Sequence, residues 1–387
     1  MSDDVTRAPD VDAVLDAIRR HRARHDADAT FPVEALDAMR SAGLLGLLAP
    51  AEHGGAGGDS GDMIDVGQRL AREDLSAALI FVMHCQQVAA LVRHARGRLR
   101  EELLPRVARG EVYLASVTTE RGKGGHLLSS DSPLSADDAG SLWLDRDAPV
   151  VTGAAHADGF LVTMRALDAT APSQVSLVYA DRAQVEVKTA GDWQPLGMRA
   201  SQSPPVRLVG SVPAHQVVGE HGDFRRIATA VFGPLAHLGW SACWLGAASG
   251  ALARTVQHLR SPEGRKRYDV TSELLLTRLA RARSRLEGVN ALLDHCRETF
   301  DRADDVSRPP VQAVLNTLKI TAAEQCHASV EELVELLGLQ HGYLRNSPLW
   351  IERTLRDVRS ASLNYHNDRL YLANGRLALL DPEVRLA

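Results

Sequence analysis

A short stretch near the carboxyl end of the chain concentrates side chains that can move protons. Tyr365, His366 and Asp368 lie within four residues, after the charged segment 356–359. A carboxylate or an imidazole can act as a general base, whereas a phenol with a pKa near ~10 is a poor base at neutral pH unless a cation lowers that pKa. Asp368 and His366 are therefore candidate bases. The plainer interpretation is that this stretch only turns the chain, and that the charges at 356–359 form a salt-bridged hub at a helix end.

Threonine hydroxyls form a second group of candidates. Thr118, Thr119 and Thr152 are predicted at the ends of two strands, and glycines at 122, 124 and 125 follow the first pair. Hydroxyls bind a neutral ligand without adding charge, and glycines let the backbone approach a ligand closely. From residue types alone, ordinary strand threonines are the favoured interpretation.

The charge balance excludes some classes of partner. Against 44 Lys and Arg stand 49 Asp and Glu, which gives a net charge of -5, and the two signs are interspersed. Such a surface does not favour nucleic acid or an anionic membrane, so small molecules or proteins are the expected partners. The first ten residues are acidic and lack an apolar core, and no run is expected to approach the ~18 apolar residues of a membrane span. We therefore expect a cytoplasmic protein whose four widely spaced cysteines are reduced and buried.

The apolar periodicity divides the chain into three parts. It is helical to about residue 112, with a start at Phe31-Pro32, a stop at Gly43 and further helices at 63–72, 76–96 and 99–108. Between 113 and 223 it alternates in short segments such as "QVSLVYAD", which is typical of an antiparallel β-barrel or sandwich. From 224 to 387 it is helical again. The predicted class is α+β, with a helical domain, a β-domain and a four-helix bundle.

One apolar stripe in the last part predicts a single long helix. Its members recur every three or four residues, so the helix should pack along its length against other helices. We interpret the stripe as core rather than as a cofactor site. Its members are Leu275, Leu279, Ala282, Leu286, Val289, Leu293 and Cys296.

Five motifs, in order along the chain, resemble those of the acyl-CoA dehydrogenase superfamily of flavoproteins. They are "FPVEALDAMRSAGLLGLLAPAEHGG", "SVTTERGKGG", "LGMRAS", "VPAHQVVGE" and "IERTLRDVR". The resemblance covers essentially the whole chain and implies an FAD-dependent oxidoreductase. It implies that Thr118 and Thr119 lie at the flavin, with Thr119 near its pyrimidine edge and Thr152 near N5. Gly125 belongs to the flavin loop, although Gly125-His126 stands where the family usually has Ser-Asp.

The resemblance also implies a second set of FAD contacts, supplied by a neighbouring subunit. Its members are an arginine, here Arg265 or Arg267, and the segment "LQHGY", where Leu339 and Gln340 replace the usual two glycines before Gly342. A pyrophosphate needs cationic or N–H donors, and Arg267 is chemically suited to that role. A homodimer or homotetramer follows if the match holds.

The family's usual catalytic glutamate is missing. Tyr365 stands at its commonest position, and Arg226 stands at the alternative position used by some relatives. Three explanations remain open: a displaced base at Asp368 or His366, an oxygen-using monooxygenase or N-hydroxylase of the same fold, or a catalytically silent subunit or scaffold. The expected substrate is an acyl thioester, bound to CoA or a carrier protein in a specialised pathway, with an amino sugar as another possibility. His84 and His341 are further candidates for polar groups in the pocket.

Overall fold

The amino-terminal part of the chain is helical. A computed structural model describes residues 9–122, 126–380, 383 and 386. Pro32 precedes the second helix, and Gly43 follows it with a φ of 75°, so the predicted start and stop are confirmed. The helices are α1 (Val11–Asp28), α2 (Val33–Ser41), α3 (Ser60–Ala71), α4 (Leu75–His94) and α5 (Gly97–Ala108).

Helix α4 corrects one expectation. By length and composition alone, Leu75–His94 could cross a membrane, so the expectation that no run reaches that size is wrong. Most of its apolar stretch is buried inside the protein. A helix that is apolar on all sides is also what the core of a large protein requires.

The central part forms two four-stranded sheets with the orders β1-β4-β5-β8 and β2-β3-β7-β6. Antiparallel pairing is confirmed for the other strand pairs of the described chain, but β1 and β4 run parallel, with Leu114 opposite Gly159. The short β2 and β8 were not expected from the sequence. The strands are β1 (Leu114–Val117), β2 (Ser135–Ala136), β3 (Leu142–Ala148), β4 (Gly159–Arg165), β5 (Val175–Asp181), β6 (Val185–Thr189), β7 (Val206–Val212) and β8 (Val217–Val218).

Strand β3 shows how the sequence selects the buried face. Its residues alternate strictly between buried and exposed, because successive side chains of a strand point to opposite faces. Leu142, Leu144 and Ala148 take three of the four buried positions, and the fourth belongs to Arg146. The alternation therefore places a cation inside the β-region.

The carboxyl-terminal part is helical, as predicted. Helix α10 packs against α9, α11 and α12. Two short π-helical segments, Ala228–Phe232 and Leu339–Tyr343, adjoin longer helices. The helices are α6 (Phe224–Ile227), α7 (Gly233–Arg260), α8 (Pro262–Arg267), α9 (Glu273–Arg302), α10 (Pro309–Gly338), α11 (Ile351–Val358) and α12 (Asn367–Ala378).

Helix α9 is the long helix that the apolar stripe predicts, but it is covered over only part of its length. From Ala282 onward the stripe is buried, whereas Leu275 and Leu279 are only half-buried. Leu274 and Leu276 beside them are exposed. The first turns of α9 therefore carry more apolar surface than the described part of this chain covers.

The chain divides into two compact units. The described residues of the first lie within 1–63, 80–194 and 200–236, and those of the second within 64–79, 195–199 and 237–387. The first unit contains both sheets, and the second contains α8 to α12. The three domains proposed from the sequence, 1–112, 113–223 and 224–387, stay a prediction.

Candidate functional site

In the first unit, hydroxyl groups form a chain at one end of the predicted flavin site. The Thr152 hydroxyl is hydrogen-bonded to the Ser203 hydroxyl at 3.0 Å, which in turn is bonded to the Ser201 hydroxyl at 2.9 Å. Thr119 donates its hydroxyl hydrogen to the Val150 carbonyl at 2.9 Å. The structure therefore brings Thr152 together with two serines that the sequence analysis missed. Their signal was the polar run after "LGM".

The backbone around Thr152 holds this chain in position. Gly153 has a φ of 65°, and its amide donates to the Gln202 carbonyl at 3.0 Å. A Cβ at Gly153 would lie 2.7 Å from atoms of Phe31 and Tyr113, so only glycine fits there. Thr152 is thus fixed by a turn that no larger residue could adopt without displacing two aromatic rings.

Of the two remaining residues of the predicted flavin loop, the structure describes only Thr118. Thr118 is half-buried and accepts from the Ser116 hydroxyl at 3.5 Å, a long hydrogen bond. Gly125 lies outside the described residues. Thr118 therefore keeps hydrogen-bonding capacity for a ligand.

A buried ion pair between Arg146 and Glu120 lies where the predicted flavin loop begins. The Arg146 guanidinium, whose side chain is fully buried, contacts the Glu120 carboxylate at 2.9 Å and donates to the Thr119 carbonyl at 3.0 Å. Glu120 also accepts from the amides of Asp131 and Ser132. Burial alone would raise the pKa of Glu120, but its hydrogen bonds and the Arg146 charge outweigh that effect and lower it. The carboxylate thus joins the two ends of segment 121–130.

His84 is a buried residue whose hydrogen bonds are made within the core. Its Nδ1 accepts from the Leu114 amide at 3.1 Å, and its Nε2 hydrogen bonds to the Leu45 carbonyl at 2.8 Å. Burial lowers its pKa to about 4. Both ring nitrogens are occupied by main-chain groups, so the core interpretation is favoured over a role in the pocket.

In the second unit, the turn that carries Tyr365 joins α11 to α12. Helix α12 begins at Asn367, so Asp368 lies in its first turn and, of the three candidates, only Tyr365 and His366 belong to the turn itself. Tyr365 has a φ of 47°, which is uncommon for a non-glycine residue. The Asp368 side chain is 88% exposed and lies 3.7 Å from His366, which is also exposed. The two candidate bases are therefore together, in solvent.

Tyr365 is partly exposed, at 38% of its surface. Partial burial of the phenol raises its pKa, and Arg369 opposes this only in part, so the phenol is neutral near neutral pH. Its ring centroid lies 6.4 Å from that of the buried His237, on α7. Burial and the nearby Lys319 lower the pKa of His237 to about 3. Neither residue is poised to take a proton near neutral pH.

The sequence analysis missed Lys319. This fully buried residue of α10 donates from Nζ to the carbonyls of Ala361 and Tyr365, each at 3.1 Å, and to Oδ1 of Asn367 at 2.7 Å. Burial lowers its pKa to about 7. A lysine within an apolar helical pattern gives no sequence signal, because its partners are main-chain oxygens distant in the chain.

Two of the residues assigned to the second set of FAD contacts meet in the second unit. Arg267 donates to Oε1 of Gln340, and both side chains are exposed. A Cβ at Gly342 would lie 2.5 Å from the Val334 carbonyl, which explains the glycine there by packing alone. His341 is buried beside His258, with 4.6 Å between ring centroids. An exposed cation held by an amide is a chemically suitable anion contact.

Two of the five sequence motifs meet in the second unit, where "LGMRAS" contacts "IERTLRDVR". The Met198 amide donates to the Asp357 carboxylate at 2.6 Å, and a Cβ at Gly197 would overlap the Arg356 carbonyl. Asp357 also lies 3.6 Å from Arg353. Arg356 pairs with Glu352 at 2.7 Å, and Arg359 donates to the Ser362 hydroxyl at 3.0 Å. These contacts support a structural role for Arg356 and Asp357. Arg226, in the first unit, pairs with Asp223 at 2.6 Å and is not a base.

Comparisons with known proteins agree with this picture. The family model "Acyl-CoA dehydrogenase, N-terminal domain" matches residues 11–111, and "Acyl-CoA dehydrogenase, C-terminal domain" matches residues 235–363. The fold also matches the structure of butyryl-CoA dehydrogenase from Megasphaera elsdenii, with a TM-score of 0.82, 19% identity, and coverage of 96% of this chain and 97% of that one.

Curated relatives with different activities match the chain. Probable acyl-CoA dehydrogenase FadE25 of Mycobacterium tuberculosis is 24% identical over 349 residues, covering 88% of this chain and 86% of the relative. Amino sugar nitrososynthase DnmZ of Streptomyces peucetius is 26% identical over 367 residues, covering 89% and 85%. The same fold therefore accompanies two different activities at similar identity.

Proposed function

The chain belongs to the acyl-CoA dehydrogenase family, and we propose that it is an FAD-dependent oxidoreductase acting on an acyl thioester. The thioester is carried by CoA or by a carrier protein, and the departures from the family's usual residues favour a specialised biosynthetic pathway. FAD supplies the redox chemistry by accepting or donating electrons at its ring.

The observation that carries the proposal is the neutral hydroxyl chain of Thr152, Ser203 and Ser201. A flavin ring is neutral, and fixed charges beside it would bias its redox state. Each hydroxyl can donate once and accept twice, so the chain retains capacity toward a ligand after its internal bonds are made. These residues fit a flavin. In our proposal Thr152 orients the ring near N5, while Thr118 and Thr119 contact its pyrimidine side.

Arg267, Gln340 and the Gly342 segment are proposed to contact FAD of a neighbouring subunit. The contact between Arg267 and Gln340, both exposed, supports this assignment. Exposed apolar side chains support a homodimer or homotetramer, because such patches commonly mark interfaces. They include Leu274, Leu276, Leu339, Tyr343 and Leu344. The family fold further implies a barrel or sandwich for the sheets and a four-helix bundle for the carboxyl-terminal helices.

A flavin-dependent monooxygenase or N-hydroxylase is the second candidate. It is favoured because the turn at Tyr365 offers no group that is prepared to act as a base. The phenol is held neutral, and the carboxylate of Asp368 is in solvent, so neither is prepared to remove a weakly acidic proton. The similarity to an amino sugar nitrososynthase agrees with this alternative.

FAD binding is the first test. We expect the purified protein to bind FAD in a fluorescence titration, and Thr152→Val to weaken binding by about 2- to 10-fold, since one hydrogen bond is lost. Thr189→Val, at an exposed position on β6, is the matched control and should bind as the wild type does. A protein that binds no FAD would support the scaffold interpretation and exclude both candidates.

A second experiment separates the two candidates. The FAD-loaded protein is mixed anaerobically with a panel of CoA and carrier-bound thioesters. Bleaching of the flavin by a thioester alone would support the dehydrogenase, because the substrate itself then supplies the electrons. If bleaching needs an external reductant, and ¹⁸O from ¹⁸O₂ then appears in the product of a thioester or a nucleotide-linked amino sugar, the monooxygenase is supported.

A further inference from the structure

Lys319 occupies an unusual place for a buried cation. Its three ammonium hydrogens match three oxygens, and all three belong to the stretch 361–367, far along the chain from α10. Two are main-chain carbonyls, and the third is the side chain of Asn367, the first residue of α12. One side chain thus fixes the start, the middle and the end of the turn.

The three hydrogen-bond acceptors of Lys319 are neutral, so its charge is not balanced by a directly bonded carboxylate. The carboxylate of Glu324 influences the charge of Lys319 but is bonded instead to Nδ2 of Asn367 at 3.2 Å and to the Tyr371 hydroxyl at 3.0 Å. A buried charge without a directly bonded counter-ion is costly, so this lysine is poorly explained as a source of stability. Its hydrogen bonds instead determine where the main chain of the turn lies.

Tyr365 is the residue that this arrangement constrains most. Its carbonyl accepts from Lys319, and its φ of 47° lies in a region that tyrosine rarely adopts. Such a conformation persists only where surrounding contacts enforce it. The lysine also lies over the face of Trp244, 5.6 Å from its centroid, which fixes the amine laterally.

We propose that Lys319 is a positioning residue that holds the turn 361–367 so that Tyr365 presents its ring beside His237. Lys319 itself touches neither flavin nor substrate. The importance of the turn for catalysis rests on the proposed function, whereas the positioning of the turn does not.

Hydrogen exchange measured by mass spectrometry on the flavin-free protein tests the positioning directly. The amides of Leu363, Asn364 and Asn367 donate within the turn and report its order. In Lys319→Met, which keeps the length of the stem and removes the donors, we expect peptides covering 359–368 to exchange at least about tenfold faster than in the wild type. Cys326→Ala, a truncation of another buried residue of α10, is the matched control and should leave these peptides unchanged.

Chemical rescue distinguishes positioning from a loss of packing. Lys319→Ala opens a space that propylamine can enter, and the added amine should restore slow exchange in 359–368, whereas butane-sized alcohols without an ammonium should not. If Lys319→Met fails to fold, Asn367→Ala removes one of the three acceptors and should give the same local effect with a smaller amplitude. Wild-type exchange in the turn of both Lys319→Met and Asn367→Ala would overturn the proposal.

The outcome is independent of the flavin chemistry. FAD titration of Lys319→Met should match the wild type, because Lys319 is not assigned to the cofactor. If Lys319→Met loosens the turn but the protein never binds FAD, the positioning role is supported and the proposed function is contradicted. If the protein binds FAD but Lys319→Met leaves exchange in the turn unchanged, the proposed function is supported and the positioning role is contradicted.

Discussion

Arg146 and Lys319 are both buried cations, one in each unit, but their partners differ. Arg146 contacts the carboxylate of Glu120, which lies next to it in a nearly dry environment. Lys319 donates its hydrogen bonds to two main-chain carbonyls and one amide oxygen, all of them neutral. Burial lowers the pKa of both residues, and Glu120 opposes the shift for Arg146, whereas only a weak influence of Glu324 opposes it for Lys319.

The two buried cations differ in how their charge, and hence their contribution to stability, depends on pH. The Arg146 guanidinium of the first unit stays charged, because arginine does not lose its proton in proteins and here it has a carboxylate partner. The lysine in the second unit exchanges its proton near neutral pH, since its pKa is about 7. We therefore interpret Arg146 as a buried cation whose contribution to the fold is fixed, and Lys319 as one whose contribution depends on pH. Variants of Glu120, Lys319 and Asn367 test that distinction.

The largest effect is expected when the carboxylate partner of Arg146 is neutralised. Glu120→Gln leaves a buried charge without its counter-ion and places an amide donor among the donors of Asp131 and Ser132. We expect the free energy of unfolding to fall by about 3 kcal/mol in urea denaturation. Asp147→Asn, which breaks the exposed pair with Arg121, is the control and should cost at most about 0.5 kcal/mol. Equal losses of unfolding free energy in Glu120→Gln and Asp147→Asn would contradict a stabilising role for the buried pair of Arg146 and Glu120.

The next effect is a pH dependence of stability that depends on Lys319. Its pKa is about 7 in the folded protein and is ordinarily 10.5, so between these values the unfolded chain binds more protons. Stability from this group is therefore fully present above its ordinary pKa and is lost as the pH falls through 7. Between about pH 7 and pH 9, wild type should gain about 2 kcal/mol relative to Lys319→Met.

Urea denaturation at several pH values measures this difference. Subtracting the Lys319→Met values removes the contributions of the buried cysteines, whose pKa values burial raises. Lys266→Met, at an exposed position on α8, should follow the wild-type pH dependence. Parallel curves for wild type and Lys319→Met would mean that the lysine stays charged.

A smaller effect should follow from giving Lys319 a carboxylate of its own. Asn367→Asp keeps an oxygen beside Nζ and adds a negative charge, so the pKa of Lys319 should rise by roughly one unit, or about 1.4 kcal/mol. The sequence holds four lysines, so the signal of Lys319 in ¹³C-lysine NMR is identified by its absence in Lys319→Met. Asn374→Asp, farther along α12, is the control. An unchanged pKa would contradict the view that the missing counter-ion lowers it.

The smallest effects on stability are expected at the surface of the turn. Tyr365→Phe and Asp368→Asn should each change the free energy of unfolding by less than about 0.5 kcal/mol and leave FAD binding intact. Turnover should separate them. A loss of roughly 10² or more in Asp368→Asn alone would support the displaced base, despite the exposure of that carboxylate. If neither variant alters turnover of the substrate, the cluster only turns the chain.

The sequence predicted the parts of the fold that follow from periodicity and local turn chemistry. Phe31-Pro32 and Gly43 bound α2 as expected, and the alternating segments became β3 to β7. What it failed to predict depends on distant partners. The parallel pairing of β1 with β4 is invisible in either strand alone, and a two-residue strand such as β8 has no period to detect.

The candidate site was predictable to the same extent. Residue types alone favoured ordinary strand threonines, and only the family resemblance assigned Thr119 and Thr152 to the flavin, which stays a prediction. Ser203 joins Thr152 only through the fold around Gly153 and Gln202. The resemblance also assigned Arg267 and Gln340 to FAD; the structure brings these two side chains into contact, and their role at FAD stays a prediction. Lys319 could not be found, because a buried lysine is recognised by its acceptors and not by its neighbours in sequence.

The hydrogen bonds of Glu120 also affect which changes in length this part of the chain can tolerate. Its carboxylate binds the amides of Asp131 and Ser132, so the segment 121–130 is closed at its base whatever lies within it. Doubling the length of a flexible loop costs only about 0.6 kcal/mol in closure entropy. The length of the chain between Gly122 and Ser130 can therefore change at little cost in closure entropy. Glu120 keeps both ends in place, and so does the Ser130 hydroxyl, which accepts from the Arg146 guanidinium at 2.8 Å.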